Sequence, residues 1–277
     1  MTSQSYRGRI APTTSGYLHV GHAQTFKTAM ERARESGGTL VLRIEDIDFE
    51  RCKKKYAEAA VEDLKSIGIQ WDEGDDIGGN YAPYTQSLRM NFYVGAFNKL
   101  LKSGKIYPCQ ASRKQIAELS TRQKRTFDFL EPEKIFPRQL RRNCVREFFP
   151  GALEKTWRFK VPDGEKIEFF DNAMGAQSFI AGEDFGDFVI WRKIGVPSYE
   201  FAVVVDDATM EITEVVRGKD LLLSTARQLL LYEALDLRPP QFYHCPLVMD
   251  KNGKKLSKSN TDPAVGNPSL IRSQNLI

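Results

Sequence analysis

Arg9-Ile10-Ala11-Pro12-Thr13-Thr14-Ser15-Gly16-Tyr17-Leu18-His19-Val20-Gly21-His22 is the stretch on which the reading of this 277-residue chain turns. Residues 6–11 read as a short strand. The small residues Thr13 to Gly16 turn the chain, and residues 21–36 read as a helix with Ala23, Phe26, Met30 and Ala33 at helical spacing. Gly37-Gly38 ends that helix. Thr39 to Ile44 is then nearly all apolar, as strands buried on both faces are. Residues 56–67 and 86–103 read as two more amphipathic helices. Strand–helix–strand–helix order predicts an α/β fold built on a doubly wound parallel sheet.

The middle of the chain breaks this pattern. Residues 105–185 are charged and irregular, with Pro108, Pro132, Pro137, Pro150 and Pro162, and strand-like runs only at 156–161 and 166–170. They read as an inserted α+β subdomain. Strand patterns resume at 188–192, 200–206 and 211–216, followed by a long helix over 219–235. The expected boundaries are therefore 1–104 for the first half of a nucleotide-binding domain, 105–185 for the insertion, 186–260 for the second half, and 261–277 for an irregular or weakly helical tail.

Composition bounds the class. Charged residues make up 27% and apolar residues 41%, with a net charge of +4 and a pI of about 8.7. That suits a globular protein and permits nucleic-acid binding without arguing for it. Cys52, Cys109, Cys144 and Cys245 are far apart and form no Cys-x-x-Cys pair. The N-terminus carries no apolar leader core, and no run approaches the ~20 apolar residues of a membrane span. A cytoplasmic protein with reduced thiols, no membrane association and a monomeric state is expected.

Two segments carry chemistry. A strand that turns into a helix presents free backbone N–H groups and the positive end of the helix dipole, which together make an anion site. Gly16 and Gly21 allow close approach, and His19 and His22 share a face as the helix begins. Alone, such a pair reads as surface histidines or half of a metal site. The second segment is Gly253-Lys254-Lys255-Leu256-Ser257-Lys258-Ser259. A basic Gly/Ser loop of this kind is either a solvated surface loop or one that closes over phosphates.

The context of the first segment resembles the "HIGH" signature of class I aminoacyl-tRNA synthetases in the glutamyl/glutaminyl form. Arg43-Ile44-Glu45-Asp46-Ile47-Asp48, Leu64 to Gly74, Tyr84-Thr85-Gln86-Ser87, Tyr199 to Asp207 and Glu214 to Leu221 resemble further segments of that family in order. Lys254 to Ser259 resembles its "KMSKS" loop. The resemblance covers roughly residues 1–110 and 183–260 and implies a Rossmann-like catalytic domain that binds ATP. His19, Gly21, His22, Lys255 and Lys258 are then ATP-binding, with His19, His22 and Lys258 catalytic.

A glutamate substrate needs fixed cations for its carboxylates and a carboxylate for its ammonium. Arg9 and Glu45 end the first and second strands and face one crevice at the C-terminal edge of an open sheet. The resemblance implies that Arg9 binds a carboxylate and Glu45 the α-amino group, and adds Ala11, Pro12, Thr13, Tyr199 and Arg217 to the glutamate pocket. Glu200 departs from the family pattern, which has Asn there. An extra carboxylate repels an acidic substrate unless it points away or is paired. Many relatives also carry a zinc site in the insertion, but here only Cys109 and Cys144 match, two ligands at most of the four that structural zinc needs. No zinc is expected, and packing must hold the insertion.

Only 18 residues follow Ser259, which suggests the short class of glutamyl-Q tRNA(Asp) synthetases, without an anticodon-binding domain. That class implies L-glutamate, ATP with Mg²⁺, and tRNA(Asp) carrying queuosine as partners. The glutamate carboxylate attacks the α-phosphorus, pyrophosphate leaves, and a queuosine ring hydroxyl takes the glutamyl group from the adenylate. Two alternatives stand beside it: a divergent glutamyl-tRNA synthetase charging a 3′ end, and a catalytically silent paralogue that binds an amino acid or tRNA. Arg122, Lys124 and Arg125, with Arg138, Arg141 and Arg142, form basic clusters that read either as a tRNA contact surface or as a solvated face.

Overall fold

The computed structural model describes residues 5–127 and 132–247. Its elements begin β1 (Arg7–Ile10), α1 (Val20–Glu35), β2 (Thr39–Leu42), α2 (Lys54–Ser66), α3 (Met90–Ser103), β3 (Ile106–Cys109), α4 (Arg113–Leu119), β4 (Thr121–Arg122) and β5 (Lys134–Ile135). They continue β6 (Thr156–Phe159), β7 (Lys166–Asp171), β8 (Gly175–Ile180), β9 (Phe188–Arg192), β10 (Val196–Pro197), α5 (Tyr199–Thr209), β11 (Glu214–Gly218), α6 (Leu222–Ala234) and β12 (Gln241–Cys245). The described residues form two compact units, one of residues 5–89, 210–219 and 240–247 and one of 90–127, 132–209 and 220–239.

The first unit is a parallel sheet with helices on one face. β1 and β2 pair in parallel, as do β11 and β12. The Tyr6 and Ile10 carbonyls accept from Thr39 and Arg43 on the β2 side. Alternation turns the Arg7 carbonyl to the other edge of β1, where it accepts from the N–H of Thr213, just before β11. On the far edge of β2, Leu42 N–H donates to Glu73 and Ile44 N–H to Tyr84. The helix-to-strand turn after α1 needs both glycines. Gly37 has φ of 57°, and a Cβ on Gly38 would lie 2.5 Å from the Tyr6 carbonyl oxygen.

Strand alternation gives this sheet two different faces. Ile10, Leu40, Leu42, Val216 and Cys245 pack with Phe26, Ala29 and Ala33 of α1 and with Ala60 and Leu64 of α2 in one apolar core. The residues between them face the other way: Arg7 and Arg9 on β1, Arg43 and Glu45 beyond β2, Arg217 on β11, and Phe242 and His244 on β12.

The second unit is α+β. β3, β6, β9 and β10 form an antiparallel sheet in the order β10-β9-β6-β3. β7 and β8 form a hairpin, and β4 pairs with β5. Trp157 and Trp191 are fully buried and donate their indole N–H groups to the carbonyls of Ala152 and Leu153.

Three expectations about elements are corrected. Residues 200–206 are not a strand but lie in helix α5, where Phe201 to Val205 are all buried. A run buried all round looks the same in either conformation, because no polar face reveals the period. The helix expected over 86–103 is interrupted, with a single 3₁₀ turn at Gln86–Leu88 before α3. The insertion is also more ordered than its composition suggested, containing β3, α4 and the complete β7–β8 hairpin. No helix among the described residues is long and apolar enough to cross a membrane.

Candidate active site

His19 and His22 cap α1 reciprocally. His19 Nδ1 accepts from the Gly21 N–H at 3.2 Å, and His22 Nδ1 accepts from the His19 N–H at 3.2 Å. Capping boxes ordinarily use Ser or Thr with Glu; two imidazoles do the same work here. The bonds also decide the tautomer. A ring nitrogen that accepts carries no proton, so each neutral imidazole holds its proton on Nε2, across the ring from the backbone. The ring centroids are 3.7 Å apart. Two Nε2–H donors thus stand together at a helix N-terminus, where the dipole already favours negative charge.

The loop leading into this cap is tied to Glu45. Pro12 O accepts from the Glu45 N–H, Thr14 N–H donates to Glu45 O, and the Thr13 hydroxyl lies 3.4 Å from Glu45 Oε2. Glu45 Oε1 accepts from Arg43 Nη2 at 3.1 Å. Arg9 Nη1 donates to Val216 O at 2.9 Å, which anchors one guanidinium nitrogen to the next strand. Arg217 sits opposite His244 in the β11–β12 register, and its Nε donates to His244 Nε2 at 3.1 Å. Arg9, Arg43, Glu45, Arg217 and His244 are all buried.

The other motif segments brace this face. Asp46 accepts from both the N–H and the hydroxyl of Ser87, and so ties the Arg43–Asp48 segment to the Tyr84–Ser87 segment. Arg7 donates to both Glu73 oxygens, and Tyr84 donates its hydroxyl to Glu73 as well. The Arg7 guanidinium and then the Tyr84 hydroxyl hold the Glu73 carboxyl below its ordinary value. Burial first, then the bond to Glu73, pushes the Tyr84 hydroxyl up to about 12.

Residues 5–272 match the family described as "tRNA synthetases class I (E and Q), catalytic domain". The chain belongs to that family. It is 43% identical over 254 residues to a glutamyl-Q tRNA(Asp) synthetase of Symbiobacterium thermophilum, across 91% of this chain and 77% of that protein. It is 41% identical over 262 residues to a glutamate--tRNA ligase of Sulfurihydrogenibium sp., across 91% of this chain but only 52% of the ligase. The crystal structure of the glutamate-tRNA synthetase from Elizabethkingia anophelis superposes with a TM-score of 0.79 at 31% identity, covering 95% of this chain and 57% of that one. The chain thus spans about half the length of the glutamate--tRNA ligase it matches. Family membership agrees with the α/β class expected from the strand–helix order.

Within the first unit, residues 12–14 contact Glu45, Arg9 bonds the strand that carries Arg217, and His19, Gly21 and His22 form the cap of α1, reached through residues 11–18. Tyr199 lies at the start of α5 in the second unit, 41% exposed. Lys255, Lys258 and their loop lie outside the described residues, as does the tail. Arg43 and His244 were not among the expected site residues. Alternation from Glu45 would have found Arg43. His244 is the third of only three histidines, but the strand that carries it was not recognised.

Glu200 is paired. It accepts from Ser224 Oγ and Gln228 Nε2, both at 2.8 Å, and lies near Arg227, which also pairs with Glu133. Its charge is therefore met within the second unit. Among the described residues no group of three or more His, Cys, Asp or Glu is placed to hold a metal ion. Cys109 and Cys144 are free thiols, and burial raises the Cys144 thiol above its ordinary value. A buried carboxylate ties several segments of the second unit together. Asp187 accepts from the Tyr107 hydroxyl, from Arg141 Nε and Nη2, and from the Val161 N–H, all within 3.0 Å. Several basic residues of the insertion are paired with carboxylates: exposed Lys124 with Glu183, Arg125 with Asp184 and Arg138 with Asp163, and Arg141 with Asp163 and Asp187. Arg122 and Arg142 are exposed.

Proposed function

We propose that this protein activates L-glutamate with MgATP and transfers the glutamyl group to queuosine in the anticodon of tRNA(Asp). The observation that carries the activation step is the gathering of Arg9, Glu45 and Arg217 on one sheet face, joined by residues 11–18 to the histidine-capped helix. Arginine guanidinia suit the substrate carboxylates and the Glu45 carboxylate suits its ammonium. The glutamate α-carboxylate attacks the α-phosphorus in line and pyrophosphate leaves. Charge developing on the phosphoryl oxygens meets the Nε2–H donors of His19 and His22 and the helix N-terminus, groups already oriented before reaction. Lys258 and Lys255 supply further positive charge in this proposal. A ring hydroxyl of queuosine then attacks the adenylate carbonyl, forming the ester and releasing AMP.

The likeness to the relative named glutamyl-Q tRNA(Asp) synthetase, of which this chain spans the larger share, supports this acceptor. The likeness to a glutamate--tRNA ligase favours a second reading, transfer to a tRNA 3′ end. Glutamate-dependent ATP–pyrophosphate exchange tests the first step, and absence of exchange with every amino acid would return the chain to a silent binding paralogue. Labelled glutamate transferred to queuosine-containing tRNA(Asp) tests the second. Nuclease fragments labelled in the anticodon loop support the proposal, whereas label on the terminal adenosine supports the ligase reading.

A further inference from the structure

His244 has no part in the chemistry above, yet it is fully buried and bonded to a proposed substrate ligand. It stands beside Arg217 on adjacent parallel strands, so both side chains leave the same face of the sheet. Phe242, two residues earlier on that face, stacks near the His244 ring and lies 5.6 Å from the Arg217 guanidinium carbon. The imidazole therefore contacts both a ring and a cation, which also approach each other. Only a neutral imidazole can accept at Nε2, so His244 carries its proton on Nδ1. A protonated ring would instead point a donor at a permanent cation.

We propose that His244 is a positioning residue for glutamate. The bond to Nε sets the plane of the Arg217 guanidinium. It engages Nε and leaves the paired Nη atoms as one edge that can grip a carboxylate with two parallel bonds. An arginine on an unbranched stem has several rotamers, and one bond at Nε on a rigid neighbouring strand selects among them. His244 thus acts on glutamate through Arg217, while ATP is held by other residues.

This inference rests on Arg217 being a glutamate ligand, and the test separates the two. Wild type, His244→Leu and His244→Gln are compared as full-length chains in glutamate-dependent ATP–pyrophosphate exchange, with Arg217→Lys alongside. Leu fills the space without an acceptor, whereas the Gln carbonyl can accept from Nε. We expect His244→Leu to raise the KM for glutamate about tenfold, the order for losing a hydrogen bond to a charged group, with the KM for ATP and kcat changed less than about threefold. His244→Gln should restore most of the glutamate KM. If His244→Leu does not fold, His244→Asn, too short to reach Nε, replaces it with the same expectation. An unchanged glutamate KM in the acceptor-free variant, equal rises in both KM values, or no rescue by Gln would overturn the positioning role. An Arg217→Lys variant with wild-type glutamate KM would overturn the assignment of Arg217 itself, and this inference with it. Wild-type chain inactive with glutamate would do the same.

Discussion

His19 and His22 each do two jobs with one ring. Nδ1 caps the helix, and Nε2 offers the donor proposed to meet the phosphate. The two jobs are separable by substitution. His22→Asn keeps a short-range acceptor for the His19 N–H but has no group in the Nε2 position. It should retain the wild-type melting temperature while exchange falls by about a hundredfold or more, the scale for losing one oriented donor to a developing charge. His22→Ala should lose both, with about 1 kcal/mol of stability going with the cap. Full exchange in His22→Asn would remove His22 from the chemistry. The histidine pair was legible from the sequence because the segment around it is local and resembles the family signature; its spacing alone left surface histidines or half a metal site open. His244 was not, because its meaning depends on Arg217, 27 residues away on another strand.

Helix α5 shows what local pattern leaves open. Its apolar run was expected as a strand, since continuous burial erases the periodicity that tells helix from strand. Once helical, its first turn places Glu200 against Ser224 and Gln228 of α6. The same residue that looked like a hazard to an acidic substrate becomes a tie between two helices. Glu200→Ala should therefore lower stability by about 1–3 kcal/mol, because it strands polar partners that are mostly out of water. Urea denaturation measures that loss. The glutamate KM should stay within about threefold of wild type. A large fall in KM with unchanged stability would instead mean that Glu200 acts on the substrate.

Each unit is braced by a carboxylate that the motifs did not explain. In the first, Glu73 is held by Arg7 and Tyr84. Its folded value lies below its ordinary 4.5, so its contribution is whole above that pH and is lost as pH falls through the folded value. Tyr84 is shifted the other way, so its contribution is whole below its ordinary 10 and is lost as pH rises towards about 12. Thermal melts should show stability falling at both ends, and Glu73→Gln should flatten the acid limb. In the second unit, Asp187→Asn keeps the shape but removes the charge that Tyr107, Val161 and Arg141 share, leaving Arg141 with Asp163 alone. A loss of about 1.5–3 kcal/mol is expected for weakening hydrogen bonds to a charged group, read by urea denaturation. A chelator should leave the wild-type melting temperature unchanged; a clear fall would show that a metal braces the chain.

What the sequence determined alone was the α/β class, the turn into the first helix, and the identity of most proposed ligands. The class and the turn rest on short-range steric preference and on side-chain periodicity, which a linear chain carries in full, whereas the ligands are what the family resemblance implies. Tertiary structure decided the rest: that alternation collects Arg9, Arg43, Glu45, Arg217 and His244 on one face, that the apolar run at 201–205 is a helix, and that Glu200 is neutralised. Each of these depends on which residues from distant parts of the chain become neighbours. That pairing is set by burial of whole elements, and no local window contains it.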